Sequence, residues 1–188
     1  EYTLMSIYFK VRLSQFLFYA FVLFLSGRLQ LSIAGCSGSI STSEYNALED
    51  LFHSTNGDSW RWINSSNTTI WTFPSPLSAP CSNHWQGLNC SVVYPAINGS
   101  TCTISELALY HRHLQGTIPL SIAELSNLVS LSMGNNKLEG SIPSEIGLLS
   151  RLKYFSIQSN SLTGTIPPDI GNFKQATSVY LNDNLLSG

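Results

Sequence analysis

A four-residue motif recurs at a fixed interval and constrains the fold more than any other feature of the chain. It occurs as Gly116-Thr117-Ile118-Pro119, as Gly140-Ser141-Ile142-Pro143 and as Gly164-Thr165-Ile166-Pro167, a step of 24 residues. A period of this length is typical of solenoids, in which each unit buries its apolar face against neighbouring units. The sequence therefore predicts a stack of short repeats.

Apolar residues recur with the same 24-residue period as this motif, so equivalent positions of successive units form columns. The columns include Leu107/Leu131/Phe155/Val179, Leu109/Met133/Ile157/Leu181 and Leu114/Leu138/Leu162/Leu186. Together they give a unit of the form L-x-x-L-x-L-x-x-N-x-L-x-G-x-I-P-x-x-I-G-x-L. This unit resembles the plant-type extracellular leucine-rich repeat of receptor-like kinases, receptor-like proteins and polygalacturonase-inhibiting proteins. The resemblance implies an α/β solenoid: a right-handed superhelix with a parallel β-sheet on its concave face and a helical, disulfide-bearing amino-terminal cap.

The first 34 residues have the pattern of a secretory leader. Lys10 and Arg12 precede an apolar run over 16–25, and Ser32-Ile33-Ala34 offers a small-x-small cleavage site. The run is about ten residues, against the roughly twenty that cross a bilayer, so cleavage is favoured over an uncleaved signal anchor. We expect a secreted protein or one on the extracellular face of the plasma membrane, with any membrane attachment through the leader or a carboxyl-terminal segment.

The domain boundaries follow from these patterns. We expect a signal peptide over 1–34, a Ser/Gly-rich spacer over 35–42, the cap over 43–103, and repeats over 104–188, of which three are full and one is truncated. The chain begins with Glu1 and stops within a repeat at Gly188, which indicates a fragment of a longer protein.

The cap segment combines one helix with an aromatic loop. Ser41 and Glu44 offer a capping box before an apolar stripe at helical spacing, and Asn56-Gly57 offers a stop. The loop carries Trp60, Trp62, Trp71, Phe73 and Trp85. We expect these rings to cover the first repeat, in preference to forming sugar-stacking platforms.

The cysteines complete the resemblance to the family's cap, which has a paired P-C…W-x-G-x-x-C. The resemblance implies a Cys81–Cys90 disulfide. Cys36 and Cys102 then either pair with each other, or Cys102 competes for Cys90 across a hairpin that turns near Asn98-Gly99. Glycosylation acceptor triplets begin at Asn64, Asn67, Asn89 and Asn98, all before the repeats.

Asn136, Asn160 and Asn184 form a further column, where an amide can satisfy backbone groups of the neighbouring turn. We interpret this ladder as structural. Arg112 stands at the same position of the first unit and has no acceptor atom. Either that turn opens to solvent, which we favour, or Arg112 makes another contact. The Ile-Pro pairs resemble the family's second short strand on the flank.

Alternation along the L-x-L step places another set of side chains outward on the concave face. The proposed ligand-binding residues are Tyr110, His111, Ser130, Ser132, Asn135, Tyr154, Ser156, Gln158, Tyr180, Asn182 and Asp183. Tyr154 and Tyr180 fall on adjacent strands and are expected to form one anchor patch, since Tyr commonly anchors interfaces. Such a face favours a protein, peptide or glycan ligand.

The remaining patterns argue against other functions. Charges are few and balanced, with 9 Lys+Arg and 11 Asp+Glu, so nucleic acid is not an expected partner. His111 and His113 lack further ligands for a metal, and no nucleophile elbow, phosphate-binding loop or kinase motif occurs. We expect neither metal nor cofactor, and no catalysis within these residues.

Three functional hypotheses are compatible with these features. The first is the amino-terminal recognition module of an extracellular leucine-rich-repeat receptor. The second is a secreted inhibitor of a cell-wall-degrading enzyme, and the third is the targeting arm of a larger enzyme, such as a receptor kinase, that continues after Gly188.

Overall fold

A computed structural model describes residues 36, 38–63, 66–97 and 100–188, with the backbone alone over 93–97 and 100–101. The expected leader over 1–34 lies outside the described residues, as do two glycosylation acceptors, Asn64 and Asn98. The described residues belong to one unit, Gly35–Gly188. Within them, no helix has the length and apolar character required to cross a membrane.

The cap begins with helix α1, Thr42–Ser54, and its capping box is present. The Ser41 hydroxyl oxygen accepts from the Glu44 backbone N–H at 3.2 Å, and the Glu44 carboxylate accepts from the Ser41 N–H at 3.2 Å. Tyr45, Leu48 and Leu51 are buried on one face. The chain leaves the helix at Asn56, whose φ of 56° is in the left-handed region. The predicted start, apolar face and stop are confirmed.

Five strands form the main sheet, in this order across it: β1 (Leu88–Ile97), β2 (Ser100–Ala108), β4 (Ser130–Ser132), β6 (Tyr154–Ser156) and β7 (Ser178–Tyr180). The strands β3 (Gln115–Gly116) and β5 (Lys137–Leu138) belong to a second sheet. β1 and β2 are antiparallel, whereas the other pairs are parallel. The register aligns Leu107 with Leu131, Leu131 with Phe155 and Phe155 with Val179. The predicted repeat alignment is therefore confirmed.

Burial follows this alignment along the stack. Leu107, Leu131 and Phe155 are completely buried, and each such side chain contributes roughly 1.5–3 kcal/mol relative to exposure. Val179, in the last strand, is 40% exposed. A one-residue slip would turn this whole column outward, so the apolar pattern fixes the register.

The flank of the stack differs from the prediction. The second sheet pairs β3 (Gln115–Gly116) with β5 (Lys137–Leu138), and isolated bridges continue it at Ser141 and Thr165. The Ile-Pro pairs come after these strands instead of forming them. Pro has no N–H to donate to a ladder, and Pro119, Pro143 and Pro167 each precede a 3₁₀ helix.

The side away from the sheet is a layer of short helices. Three 3₁₀ helices occupy equivalent places in the repeats: Leu120–Glu124, Ser144–Leu148 and Pro168–Asn172. Helix α1 packs beside the first of them and neighbouring 3₁₀ helices contact each other, so α1 covers the first repeat as predicted. Ile122 and Ile146 point from this layer into the core and are completely buried.

The aromatic loop packs against α1, where the Phe52 ring contacts the rings of Trp60 and Phe73. Trp60, Trp71 and Trp85 are buried, and the Trp71 and Trp85 rings stack with centroids 5.5 Å apart. The indole N–H groups find acceptors, since Trp60 donates to the Thr55 carbonyl and Trp71 donates to the Gln86 carbonyl, each at 3.0 Å. Because these three rings are internal, they act as core residues and not as sugar platforms.

Two disulfides and one buried carboxylate hold the cap together. Cys81 is bonded to Cys90, the pair implied by the family resemblance, and Cys36 is bonded to Cys102, the first of the two alternatives. Glu44 is buried and accepts hydrogen bonds from the Ile104 N–H, at 3.0 Å, and from the Thr103 hydroxyl. These bonds replace the hydrogen bonds to water that the carboxylate loses on burial, and they fix α1 against β2.

Candidate ligand-binding surface

The outward face of the five-stranded sheet, here called the sheet face, carries most of the residues proposed from the sequence. Leu131 and Met133 point into the core, so Ser130 and Ser132 point outward from β4. The strand register extends this alternation into rows across the sheet. One row is Glu106, Ser130, Tyr154 and Ser178, and the next is Ala108, Ser132, Ser156 and Tyr180.

Two tyrosines dominate the β6 and β7 side of the sheet face. Tyr154 is 37% exposed and Tyr180 is 42% exposed. Their ring centroids are 5.7 Å apart with an interplanar angle of 49°, within the range of favourable aromatic pairs. The sheet thus brings together the two side chains that the sequence proposed as one patch. The two rings are therefore in contact with each other while both side chains stay exposed to solvent.

Ser156 lies beside the tyrosines, and here one predicted site residue is wrong. Ser156 is 1% exposed, so it cannot present its hydroxyl to a ligand in this conformation. It is in register with Tyr180, and its hydroxyl lies 3.2 Å from where a side chain on Gly134 would begin. Alternation gives Ser156 the outward face, but larger neighbours cover a side chain this short. Gly134, which lies close to the Ser156 hydroxyl, is also buried.

The row of turns that follows the strands is preorganised by backbone geometry. His111, Asn135, Ser159 and Asp183 have φ values of 57°, 53°, 53° and 56°, respectively. The Asp183 carboxylate accepts from Asn182 Nδ2 at 2.7 Å and from the Ser159 hydroxyl at 3.3 Å. The proposed site residues Asn182 and Asp183 are therefore joined to each other, and both are exposed. At the opposite end, the Tyr110 and His111 rings meet edge to face at 4.3 Å and are also exposed.

Beneath these turns the asparagine ladder spans repeat boundaries. Asn136 Oδ1 accepts from the Leu114 N–H at 3.1 Å, while its Nδ2 donates to the Leu109 and Met133 carbonyls at 2.9 Å each. Asn160 and Asn184 repeat this arrangement one and two units later. The amides satisfy backbone groups on both sides of each boundary, so they hold the sheet face in place without contributing to it.

Arg112 makes a contact that we did not favour from the sequence. Its guanidinium donates to the Arg61 carbonyl oxygen at 3.2 Å and to Gln86 Oε1 at 3.4 Å. The Arg61 N–H in turn donates to the Arg112 carbonyl at 2.7 Å. Partial burial lowers the pKa of Arg112, through loss of solvation. The first repeat therefore uses this position to bind the cap loop, where later repeats use Asn to bind the preceding turn.

Among the described residues, no group of three or more His, Cys, Asp or Glu side chains is placed to hold a metal ion. His111 and His113 both have positive φ, at 57° and 67°, and occupy the turn after β2. The surface is consequently one of hydroxyls, amides and aromatic rings, with carboxylates at Glu106 and Asp183. This chemistry supports contact with a partner molecule.

The comparisons with known proteins agree with this geometry. The Leucine Rich Repeat family model matches residues 127–149 and 151–173, which are two consecutive repeats. These two repeats therefore carry the leucine-rich-repeat signature. Comparison with curated protein sequences gave no match.

Among solved structures, the chain is similar to ectodomains from Arabidopsis thaliana. The ectodomain of the receptor kinase SOBIR1 from Arabidopsis thaliana is 25% identical, with a TM-score of 0.63 over 80% of this chain and 71% of that chain. The BIR2 ectodomain from Arabidopsis thaliana is 26% identical, with a TM-score of 0.55 over 77% and 69%. The structure of PEPR1-AtPEP1 is 22% identical at a TM-score of 0.60, over 79% of this chain but only 19% of that chain, and supports the fold alone. The chain therefore shares the leucine-rich-repeat fold of these ectodomains.

Proposed function

We propose that this protein is a non-catalytic recognition module, the amino-terminal part of an extracellular leucine-rich-repeat receptor. The module comprises the cap, 43–103, and the repeats, 104–188, and it reaches the extracellular side through the leader over 1–34 and the spacer over 35–42. Its ligand is a protein or peptide bound on the sheet face. The observation that carries this proposal is the exposed Tyr154–Tyr180 pair on neighbouring strands.

The pair has the properties of an interface anchor. Two large rings with few rotatable bonds offer apolar area at a low cost in conformational entropy. They share the sheet face with Ser130 and Ser132, whose short side chains are partly exposed in the same two rows. Aromatic side chains are frequent among the interface residues at which binding energy concentrates.

The polar rim of the sheet face suits a neutral or weakly basic partner. Asn135, Gln158 and Asn182 provide amide donors and acceptors around the tyrosines, and Ser130 and Ser132 provide hydroxyls. Asp183 adds a carboxylate at one end of the surface. These groups favour hydrogen bonds to a peptide backbone, whose N–H and C=O groups alternate along the chain.

The experiment is a selection with a displayed library of plant secreted peptides. Peptides that enrich on the wild-type protein are tested for binding to the double variant Tyr154→Ala/Tyr180→Ala. The matched control is Leu120→Ala/Leu148→Ala, because these two side chains are also large and exposed but lie on the 3₁₀ helices.

We expect the tyrosine variant to lose affinity about tenfold or more for the selected peptides, as removal of a hot spot does. The leucine variant should retain affinity. Peptides that bind equally to the tyrosine variant but fail on the leucine variant would place recognition on the helical side and refute the proposal.

A further inference from the structure

Asn89 lies at the margin of the sheet face, on β1. It pairs in register with Glu106 of β2, and its Nδ2 donates to Glu106 Oε2 at 2.7 Å. The preceding residue, Leu88, is buried in the core, so Asn89 points to the opposite side of the strand. Asn89 therefore shares the sheet face with Ser130 and Tyr154, which continue its row.

We propose that Asn89 carries an N-linked glycan that closes the β1 side of the sheet face and confines ligand contact to the β4–β7 side. The effect on ligand contact rests on the proposed function, whereas the attachment of the glycan does not depend on it. Asn89-Cys90-Ser91 is an acceptor triplet, and both Asn89 and Ser91 are exposed. Among the four acceptor triplets, this is the one that the described structure places on the sheet.

The chemistry of attachment is compatible with the observed hydrogen bond. The Asn89 Nδ2 forms a bond to the anomeric carbon of a lipid-linked oligosaccharide diphosphate. The bond from that carbon to the diphosphate oxygen breaks, the lipid diphosphate leaves, and Nδ2 releases one proton. An amide nitrogen begins with two N–H donors, so the glycosylated amide keeps one for Glu106. The Asn89 side chain can thus remain oriented over the sheet after modification.

The size of the sheet determines what the glycan covers. The order β1-β2-β4-β6 puts Tyr154 three strand spacings from Asn89, roughly 14 Å at about 4.8 Å per strand. The first sugar rings would lie over Glu106, the immediate neighbour, while the tyrosine pair on β6 and β7 stays open. Asn67, by contrast, belongs to the cap loop before Trp71 and is not part of a strand.

The test uses the full chain secreted with its leader from cultured mammalian cells. Glycans are removed with a peptide N-glycosidase in heavy-oxygen water, which converts each occupied Asn to a labelled Asp that mass spectrometry locates. Ser91→Ala removes the acceptor hydroxyl while leaving the Asn89–Glu106 hydrogen bond intact. Ser91→Thr is the matched control, because it retains an acceptor hydroxyl and should keep the glycan.

Carbodiimide labelling of carboxylates then measures shielding. We expect the labelled Asp at position 89 in the wild type and in Ser91→Thr, and its loss in Ser91→Ala. Glu106 should react severalfold faster in Ser91→Ala than in the wild type, whereas Asp183 should react equally in both. An unmodified Asn89 in the secreted protein overturns the proposal, and so does an occupied Asn89 that leaves the reactivity of Glu106 unchanged. Neither readout involves a ligand, so a failure here is distinct from a failure of the proposed function.

Discussion

Asn160 donates a hydrogen bond from Nδ2 to the carbonyl oxygen of Met133, at 3.1 Å, across the boundary between two repeats. The same side chain accepts from the Leu138 N–H at 2.9 Å and donates to the Ile157 carbonyl at 2.9 Å. One amide thus connects three backbone segments of neighbouring turns. A side chain without these groups leaves buried polar atoms unsatisfied.

Asn160→Ala should therefore lower the free energy of unfolding by about 1–3 kcal/mol or more, because each unsatisfied buried group costs about that amount. Urea denaturation followed by circular dichroism measures the change. Asn182→Ala is the control, since Asn182 is exposed and its amide contacts only the neighbouring Asp183 carboxylate among the described hydrogen bonds. Equal stability of the two variants would show that the ladder does not hold the repeats.

Gly147 lies in a 3₁₀ helix at a point where the next repeat packs closely. A Cβ on Gly147 would lie 2.5 Å from the Asp169 carbonyl oxygen and 2.6 Å from the Asp169 Cβ. We expect Gly147→Ala to destabilise the protein by roughly 1–3 kcal/mol, as overpacking does. Leu148→Ala is the control and should be close to neutral, since the Leu148 side chain is 63% exposed. Melting temperatures of the two variants provide the comparison, and a reversed order would contradict the described packing of these helices.

A substitution at Ser156 should raise the stability of the protein, in contrast to Asn160→Ala. Its hydroxyl is buried and has no hydrogen-bond partner among the described residues. Ser156→Ala removes that unsatisfied group and should stabilise the protein by about 1 kcal/mol. Ser132→Ala, at the matching position of β4, changes a partly exposed hydroxyl and should be close to neutral. Loss of stability in Ser156→Ala would mean that the hydroxyl has a partner in solution.

The two disulfides should differ in their contribution to stability. Cys36–Cys102 closes a loop of sequence separation 66, whereas Cys81–Cys90 has a separation of 9. Chain entropy alone gives about 4.4 kcal/mol for the longer loop and about 2.7 kcal/mol for the shorter one. Urea denaturation of the paired variants Cys36→Ala/Cys102→Ala and Cys81→Ala/Cys90→Ala measures both. A larger loss from removing the short loop would argue that native packing at Cys81 outweighs the entropy of the unfolded chain.

Periodic features of the fold were readable in the sequence because they depend on local spacing. The 24-residue step fixes the register of Leu131 with Phe155, and the Ser41–Glu44 pattern fixes the start of α1. The ladder position of Asn160 follows from the same step. Because these features repeat or involve residues close in sequence, one amino-acid sequence is enough to predict them.

The remaining features depend on neighbours that are distant in sequence. Alternation assigns Ser156 to the outward face, but its burial depends on the larger residues around it. Nothing local shows that Asp169 packs against Gly147 or that Arg112 contacts the Arg61 carbonyl. The pairing of Cys36 with Cys102 likewise required the structure.

A double-mutant cycle on Tyr154 and Tyr180 tests the central claim, that the sheet face is the recognition surface. Affinity for a selected peptide and melting temperature are measured for the wild type, the two single Ala variants and the double variant. Because the ring centroids are 5.7 Å apart, we expect each single variant to lose about 1 kcal/mol or more of binding and the losses to be non-additive, with melting temperatures nearly unchanged. Unchanged affinity in all variants, or a fall in melting temperature that accounts for the lost binding, would contradict the claim.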